Sequence, residues 1–169
     1  FRCTNKMILD SYKKFMSQTA LILVYSILSL LIISFDRVTK YFALYYLKAG
    51  KFLSNFIDLD FVLNRGISFG IFNSDNSFIF CFITLLVFLI TVYLLVYTVD
   101  RYKNGHKIFG EILVLSGSLS NIVDRLIYGG VIDFISIKYI LPFTFFNIAD
   151  VSICLGIFIM FLKFYKSEI

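Results

Sequence analysis

Residues 77–99, SFIFCFITLLVFLITVYLLVYTV, run for 23 positions without a charge. As a helix rising ~1.5 Å per residue they exceed the ~30 Å of a bilayer's hydrocarbon core, so the stretch reads as a transmembrane span. Working outward, three more stretches share the character: about 19–35, uncharged over 17 residues; about 108–123, opening with Glu111; and about 145–162, interrupted by Asp150. The chain has 169 residues, 59% of them hydrophobic and 16% charged, with 21 Phe, 11 Tyr and no Trp. A soluble domain averages about 45–50% apolar residues. The expected fold class is an all-α membrane protein, a single-domain bundle of four transmembrane helices.

Charge placement gives the expected orientation. Residues 1–18, 100–107 and 163–169 carry nine Lys and Arg in 33 positions, against seven in the 68 positions of 36–76 and 124–150. The positive-inside rule then puts both termini in the cytoplasm and Asp36, Asp124 and Asp150 toward the extracytoplasmic ends of their helices. The net charge of +5 is a topology signal, not a nucleic-acid one. The first span follows the basic pair Lys13 and Lys14 but lacks a small-residue cleavage site, so it is read as retained. The residues before Met7 are read as extraneous to the native start. In the first loop, Ile57, Leu59, Phe61 and Leu63 alternate with Asp58, Asp60, Val62 and Asn64. That period of two predicts a small extracytoplasmic β-element over about 52–70.

The chemistry should reside in the polar residues that interrupt the apolar spans. An ionised carboxylate at helix centre costs about 2.5–3.5 kcal/mol on insertion scales, so it faces a bundle interior and usually has a function. Gly117, Ser120, Asn121 and Asp124 share one face of the third span, and Asn147, Asp150 and Cys154 one face of the fourth. Helix packing accounts for Gly117 and Ser120. Asp124 and Asp150 at matching depth suggest two carboxylates sharing a proton. Asp36 and Lys40, one turn apart, can pair; Arg37 is read as a headgroup or solvent contact and Asp133 as a loop anchor. Glu111 suits the positive end of its helix. Three scattered cysteines, a single histidine (His106) and no HExxH argue against a disulfide framework, a metal site or zinc proteolysis. With no histidine inside a span, serine nucleophiles lack a base.

Four blocks in order resemble lipoprotein signal peptidase, the signal peptidase II family of bacterial membrane aspartic proteases. Asp36-Arg-Val-Thr39-Lys40 resembles the family's D-x-x-[ST]-K, and Asn64-Arg-Gly66-Ile-Ser68-Phe69-Gly70 its N-x-G-x-[AS]-[FW]-[GS]. Ser120-Asn121-Ile-Val-Asp124-Arg125, followed by Val131-Ile132-Asp133-Phe134, resembles G-N-x-x-D-R and V-x-D-F. Phe146-Asn147-Ile148-Ala149-Asp150 reproduces F-N-x-A-D. Ser120 stands where the family usually has Gly and Ser68 where Ala is commoner, both small-for-small exchanges.

The resemblance implies Asp124 and Asp150 as the catalytic pair. Around them, Asp36, Lys40, Asn64, Gly66, Asn121, Arg125 and Asn147 would bind substrate or support the aspartates. It further implies a diacylglyceryl-modified prolipoprotein substrate cut just before the lipidated cysteine, membrane lipid as surroundings, inhibition by the cyclic peptide globomycin, and no metal or organic cofactor. Location in the bacterial inner membrane and action as a monomer are expected. The rival from another class is a small proton- or ion-coupled transporter, since intramembrane carboxylates also relay protons. Charges gathered at one end of the spans, with the single proline, Pro142, in a loop, favour the protease.

Overall fold

The computed structural model describes residues 2–47, 51–52, 56–66, 76–137 and 144–167. Its elements are α1 (Arg2–Tyr46), β1 (Lys51–Phe52), β2 (Ile57–Asn64), α2 (Ser77–Lys103), α3 (Phe109–Tyr128), β3 (Val131–Ile137), β4 (Phe145–Phe146) and α4 (Ile148–Ser167). The Ser68–Gly70 part of the loop motif lies outside the described residues.

Among the described residues, three helical segments are long and apolar enough to cross a membrane: Gln18–Tyr46, Ser77–Lys103 and Ile148–Tyr165. Their outward faces expose large apolar residues such as Leu23, Leu30, Phe82, Val96 and Phe158, a surface suited to lipid and not to water. The helix α3 falls short of that hydropathy because it carries Glu111, Asp124 and Arg125 among small and hydroxyl residues. It lies in the midst of the others, with twelve buried residues where α2 has three. Shielding by α1, α2 and α4 is what lets so polar a helix sit among them.

Small residues set the closest approach. A Cβ on Gly117 would meet the Ala149 carbonyl oxygen at 2.5 Å, and one on Gly110 the Gly156 oxygen at 2.9 Å. The contacts run in opposite order along the two chains, so α3 and α4 are antiparallel and touch backbone to backbone.

Two expectations are corrected. First, α1 does not stop near Phe35 but continues to Tyr46. Its last turns bring Ala43, with Leu47 just beyond, against Ile132 and Phe134 in a small apolar core. Asp36 therefore sits ten residues short of its helix end. Second, the β-element is not confined to the first loop. Strands from both loops form one antiparallel sheet, ordered β1-β2-β3-β4. Residues 145–146, expected to open the fourth span, are its edge strand, and α4 begins at Ile148.

The β2–β3 register shifts by one residue between Leu59 and Val62, so Leu59 pairs with Ile135 but Val62 with Asp133. This bulge reverses the sense of the alternation at the end of β2. Leu63, predicted inward, is exposed, while Asn64 is buried.

Candidate active site

At the seam between sheet and bundle, the chain buries an unusual set of polar groups: Asp36, Lys40, Asn64, Ser120, Asn121, Asp124, Arg125, Asp133, Asn147 and Asp150. All nine positions that the resemblance implies are described; seven of them, with Asp133, Ser120 and Arg37, form a linked polar network, which Arg125 joins through Gly66. The network divides into a cationic half and an amide-lined half.

The cationic half is built on α1. The Lys40 ammonium lies 2.8 Å from Asp36 Oδ2, one helical turn away, and 2.8 Å from Asp124 Oδ2. Arg37 reaches Asp124 Oδ1 at 2.6 Å and Asp36 Oδ2 at 3.2 Å, and donates to the Ser120 carbonyl. Arg37 is thus an ion-pair partner, not a headgroup contact. Asp36 accepts from the Ser120 hydroxyl at 2.6 Å and from the Ala149 amide at 2.9 Å. The latter places negative charge at the start of α4, where the helix dipole favours it. Asp124 also accepts from the Ile132 amide at 3.2 Å, just past the turn where Gly129 takes the left-handed φ of +69°. Asp124 therefore neutralises two cations and pins β3 to the end of α3.

The amide-lined half is built on β3 and α4. Asp133 has each oxygen held by an amide: Asn64 Nδ2 donates to Oδ2 at 2.9 Å and Asn147 Nδ2 to Oδ1 at 2.7 Å. Asn147 and Asp150 form a capping box at the head of α4. The Asn147 side chain accepts from the Asp150 amide at 2.9 Å, and the Asp150 carboxylate accepts from the Asn147 amide at 3.3 Å. Asn121 Nδ2 donates to Asp150 Oδ1 at 3.0 Å, while its own Oδ1 accepts from Lys40 at 2.7 Å. Asn121 so connects the two halves.

A cavity of about 130 Å³ opens onto the second half. Asp133 and Asp150 both line it, with Asn64, Asn121 and Arg125; Asp124 does not. Asp133 and Asp150, and not the expected pair Asp124 and Asp150, are the carboxylates that line this cavity. Burial, and then the charge of Asp150, pushes the Asp133 carboxyl up to about 7, against the pull of the two amides and of Lys40. Arg125 feels the charges of Asp133, Asp150 and Asp124. It donates to the carbonyls of Arg65 and Gly66, and its guanidinium lies 5.8 Å from the Phe80 ring centre. The Gly66 amide donates in turn to Asn64 Oδ1 at 2.9 Å, so Arg125 and Asn64 together hold Gly66 just past β2.

Two residues stand elsewhere than expected: Asp133 is buried on a strand and not in a loop, and Arg37 is drawn into ion pairs. Asp133 interrupts Val131-Ile132-Asp133-Phe134-Ile135, a run buried at its first four positions, where a carboxylate is as costly as in a span. Arg37 follows Asp36 directly, but its partner Asp124 is on another helix, which spacing along one chain cannot reveal. Among the described residues no cluster of His, Cys, Asp and Glu is suited to a metal ion.

Residues 28–166 match the family described as signal peptidase (SPase) II. A lipoprotein signal peptidase of Thermodesulfovibrio yellowstonii is 38% identical over 143 residues, spanning 82% of this chain and 92% of that protein. That of Halalkalibacterium halodurans is 31% identical over 153 residues, spanning 86% and 94%. A solved structure described as a bacterial membrane enzyme, determined in meso at 2.3 Å resolution, aligns with a TM-score of 0.69 and 25% identity over 86% of this chain and 89% of that one. The chain therefore belongs to the signal peptidase II family, a membrane protease that removes signal peptides from lipoproteins.

Proposed function

We propose that this chain is an aspartic endopeptidase whose working pair is Asp133 and Asp150, with Asp124 in support. It would remove the signal peptide from diacylglyceryl-modified prolipoproteins by cleaving just before the lipidated cysteine. The observation that carries this reading is the shared cavity: Asp133 and Asp150 line it together, while both oxygens of Asp124 are taken up by Arg37 and Lys40. Two carboxylates that line one small cavity and feel each other's charge share one proton. With its carboxyl raised to about 7, Asp133 is the member that holds it.

Asp150 takes a proton from a water in the cavity as that water's oxygen bonds to the scissile carbonyl carbon. Asp133 donates its proton to the carbonyl oxygen, giving a neutral tetrahedral diol. On collapse, the carbon–nitrogen bond breaks, Asp150 passes its proton to the leaving amine, and Asp133 recovers one from the diol. Asn64, Asn121 and Asn147 fix both carboxylates in place. Arg125 holds Gly66, just past β2, beside the scissile bond. Asp36, Arg37, Lys40 and Asp124 lock α1, α3, α4 and β3 into one frame.

In this reading α3 is a fourth span, the basic ends of the helices face the cytoplasm, and the sheet rests on the outer surface of the inner membrane. The substrate's acyl chains would remain in lipid with the scissile bond near the interface. The chain would act as a monomer, without a cofactor, and globomycin would compete for the cavity. The test is cleavage of a diacylglyceryl-prolipoprotein by detergent-purified protein. Asp133→Asn and Asp150→Asn should each abolish processing and wild-type processing should be globomycin-sensitive. An active Asp133→Asn enzyme beside a folded but inert Asp124→Asn enzyme would return the catalytic role to Asp124.

A further inference from the structure

The end of the bundle far from the carboxylates holds a second concave site. The helices α2 and α4 both pack on α3 but make little contact with each other, which leaves a cleft between them. At the end marked by the last turn of α2, the first turn of α3 and the last turns of α4, it widens to about 760 Å³. Three cations line it, Arg101, Lys107 and Lys163, with a single carboxylate, Glu111. Arg101 meets Glu111 at 3.0 Å and Lys163 lies 3.6 Å from it, so this buried negative charge is shared by two of the three cations. Below the charges the walls are apolar, including Ile157 and Phe161.

From this arrangement we infer that the cleft binds an anionic phospholipid, its phosphate against Lys107 and Lys163 and one acyl chain along the wall formed by Ile157 and Phe161. Charge complementarity names the occupant. Two positive charges remain unbalanced at the level where two membrane-crossing segments, ending at Lys103 and Tyr165, leave the hydrocarbon. A basic pocket between helices at that depth is suited to an acidic headgroup. A zwitterionic lipid would bring its own cation and leave the excess uncompensated. Arg101 is committed to Glu111 and to the Tyr97 ring, 5.7 Å away, whereas Lys163 is part-exposed and more loosely paired with Glu111, so it and Lys107 are the groups that can turn toward a phosphate. Lys163 already donates to the Lys107 carbonyl at 2.8 Å, which holds the pair together across the rim.

The chain has no tryptophan, so Phe161→Trp introduces a single fluorophore into the cleft. Full-length Phe161→Trp protein is reconstituted in phosphatidylcholine vesicles containing a fixed fraction of either dibrominated phosphatidylglycerol or dibrominated phosphatidylcholine. The brominated phosphatidylglycerol should quench more strongly, and the preference should fall by roughly fivefold for each lysine removed in Lys107→Gln and Lys163→Gln. Lys103→Gln, at the same membrane level but outside this cleft, should leave it unchanged. Circular dichroism identifies variants that fail to fold; the two single substitutions allow the claim to stand or fall on either one. Equal quenching by the two lipids, or an equal loss in Lys103→Gln, would show only a diffuse positive surface and overturn the proposal. So would abolition of the preference by millimolar inorganic phosphate, which would make the site one for a free anion.

Discussion

Replacing Asp133 and Asp124 by asparagine should move stability in opposite directions. Asparagine has nearly the shape of a neutral carboxylic acid, so Asp133→Asn mimics the protonated residue. The Asp133 carboxyl stands at about 7, against an ordinary value of 3.8. Its folded state therefore holds the proton more tightly than the unfolded chain. The associated stability is fully present below about pH 4, declines as pH rises, and is gone above about pH 7. The gap, at about 1.4 kcal/mol per unit, sets a ceiling of about 4 kcal/mol. Asp133→Asn should match wild type near pH 4 and exceed it by up to that amount at pH 8, roughly 2–4 °C in Tm for each kcal/mol. Asp124→Asn should instead lose about 3–5 kcal/mol at neutral pH, because it strips a counter-charge from buried Lys40 and from Arg37. Thermal unfolding in detergent, followed by circular dichroism between pH 4 and 8, measures both. An Asp133→Asn protein less stable than wild type at pH 8, with a gap that does not vary with pH, would refute the assignment of a strained, proton-holding carboxyl to this position.

If turnover needs Asp133 protonated, kcat/KM should fall as pH rises through about 7. In Asn64→Ala that limb should move to higher pH, since the lost amide had favoured the charged carboxylate; a pH–rate profile that kept its midpoint would count against the contact. Lys40→Met should destabilise by about 3–5 kcal/mol, because Asp36 and Asp124 would then depend on Arg37 alone; chemical unfolding of the purified variant reads this directly. Gly117→Leu should lower both Tm and activity, with an overpacking cost of at least ~1–3 kcal/mol, because its Cβ falls 2.5 Å from the Ala149 oxygen and must push α4, with Asp150, away. Unchanged activity there would mean the α3–α4 spacing does not position the site.

Residues whose neighbours lie along the same helix were legible in the sequence. The Asp36–Lys40 pair follows from their spacing of four, and Asn147 with Asp150 from a spacing of three that proved to be a capping box. The apolar runs located three helices because hydropathy is a local sum. The helix α3 was legible only through its small residues, since shielding by neighbours is a tertiary property. The position of Asp133 beside Asp150 at the cavity was hidden for a similar reason. Depth along a span ranked Asp124 with Asp150, but the chain turns back at Gly129 and carries Asp133 on a strand into the same cavity. Strand pairing across 69 residues, which joins Asn64 to Asp133, leaves no local trace. The bulge in β2 hid it further by inverting the pattern of Leu63 and Asn64.

That bulge makes the spare residue in β2 a phase-setter for the chemistry. Side chains alternate faces along a strand, so Asn64 shares a face with Asp133 only because one extra residue is accommodated after Leu59. A strand that kept these residues but flattened the bulge into strict alternation would retain every polar group of the cavity and still swing the Asn64 amide to the opposite side of the sheet. The surviving enzyme would have a complete inventory and a misaimed one, with its acid supported from one side alone.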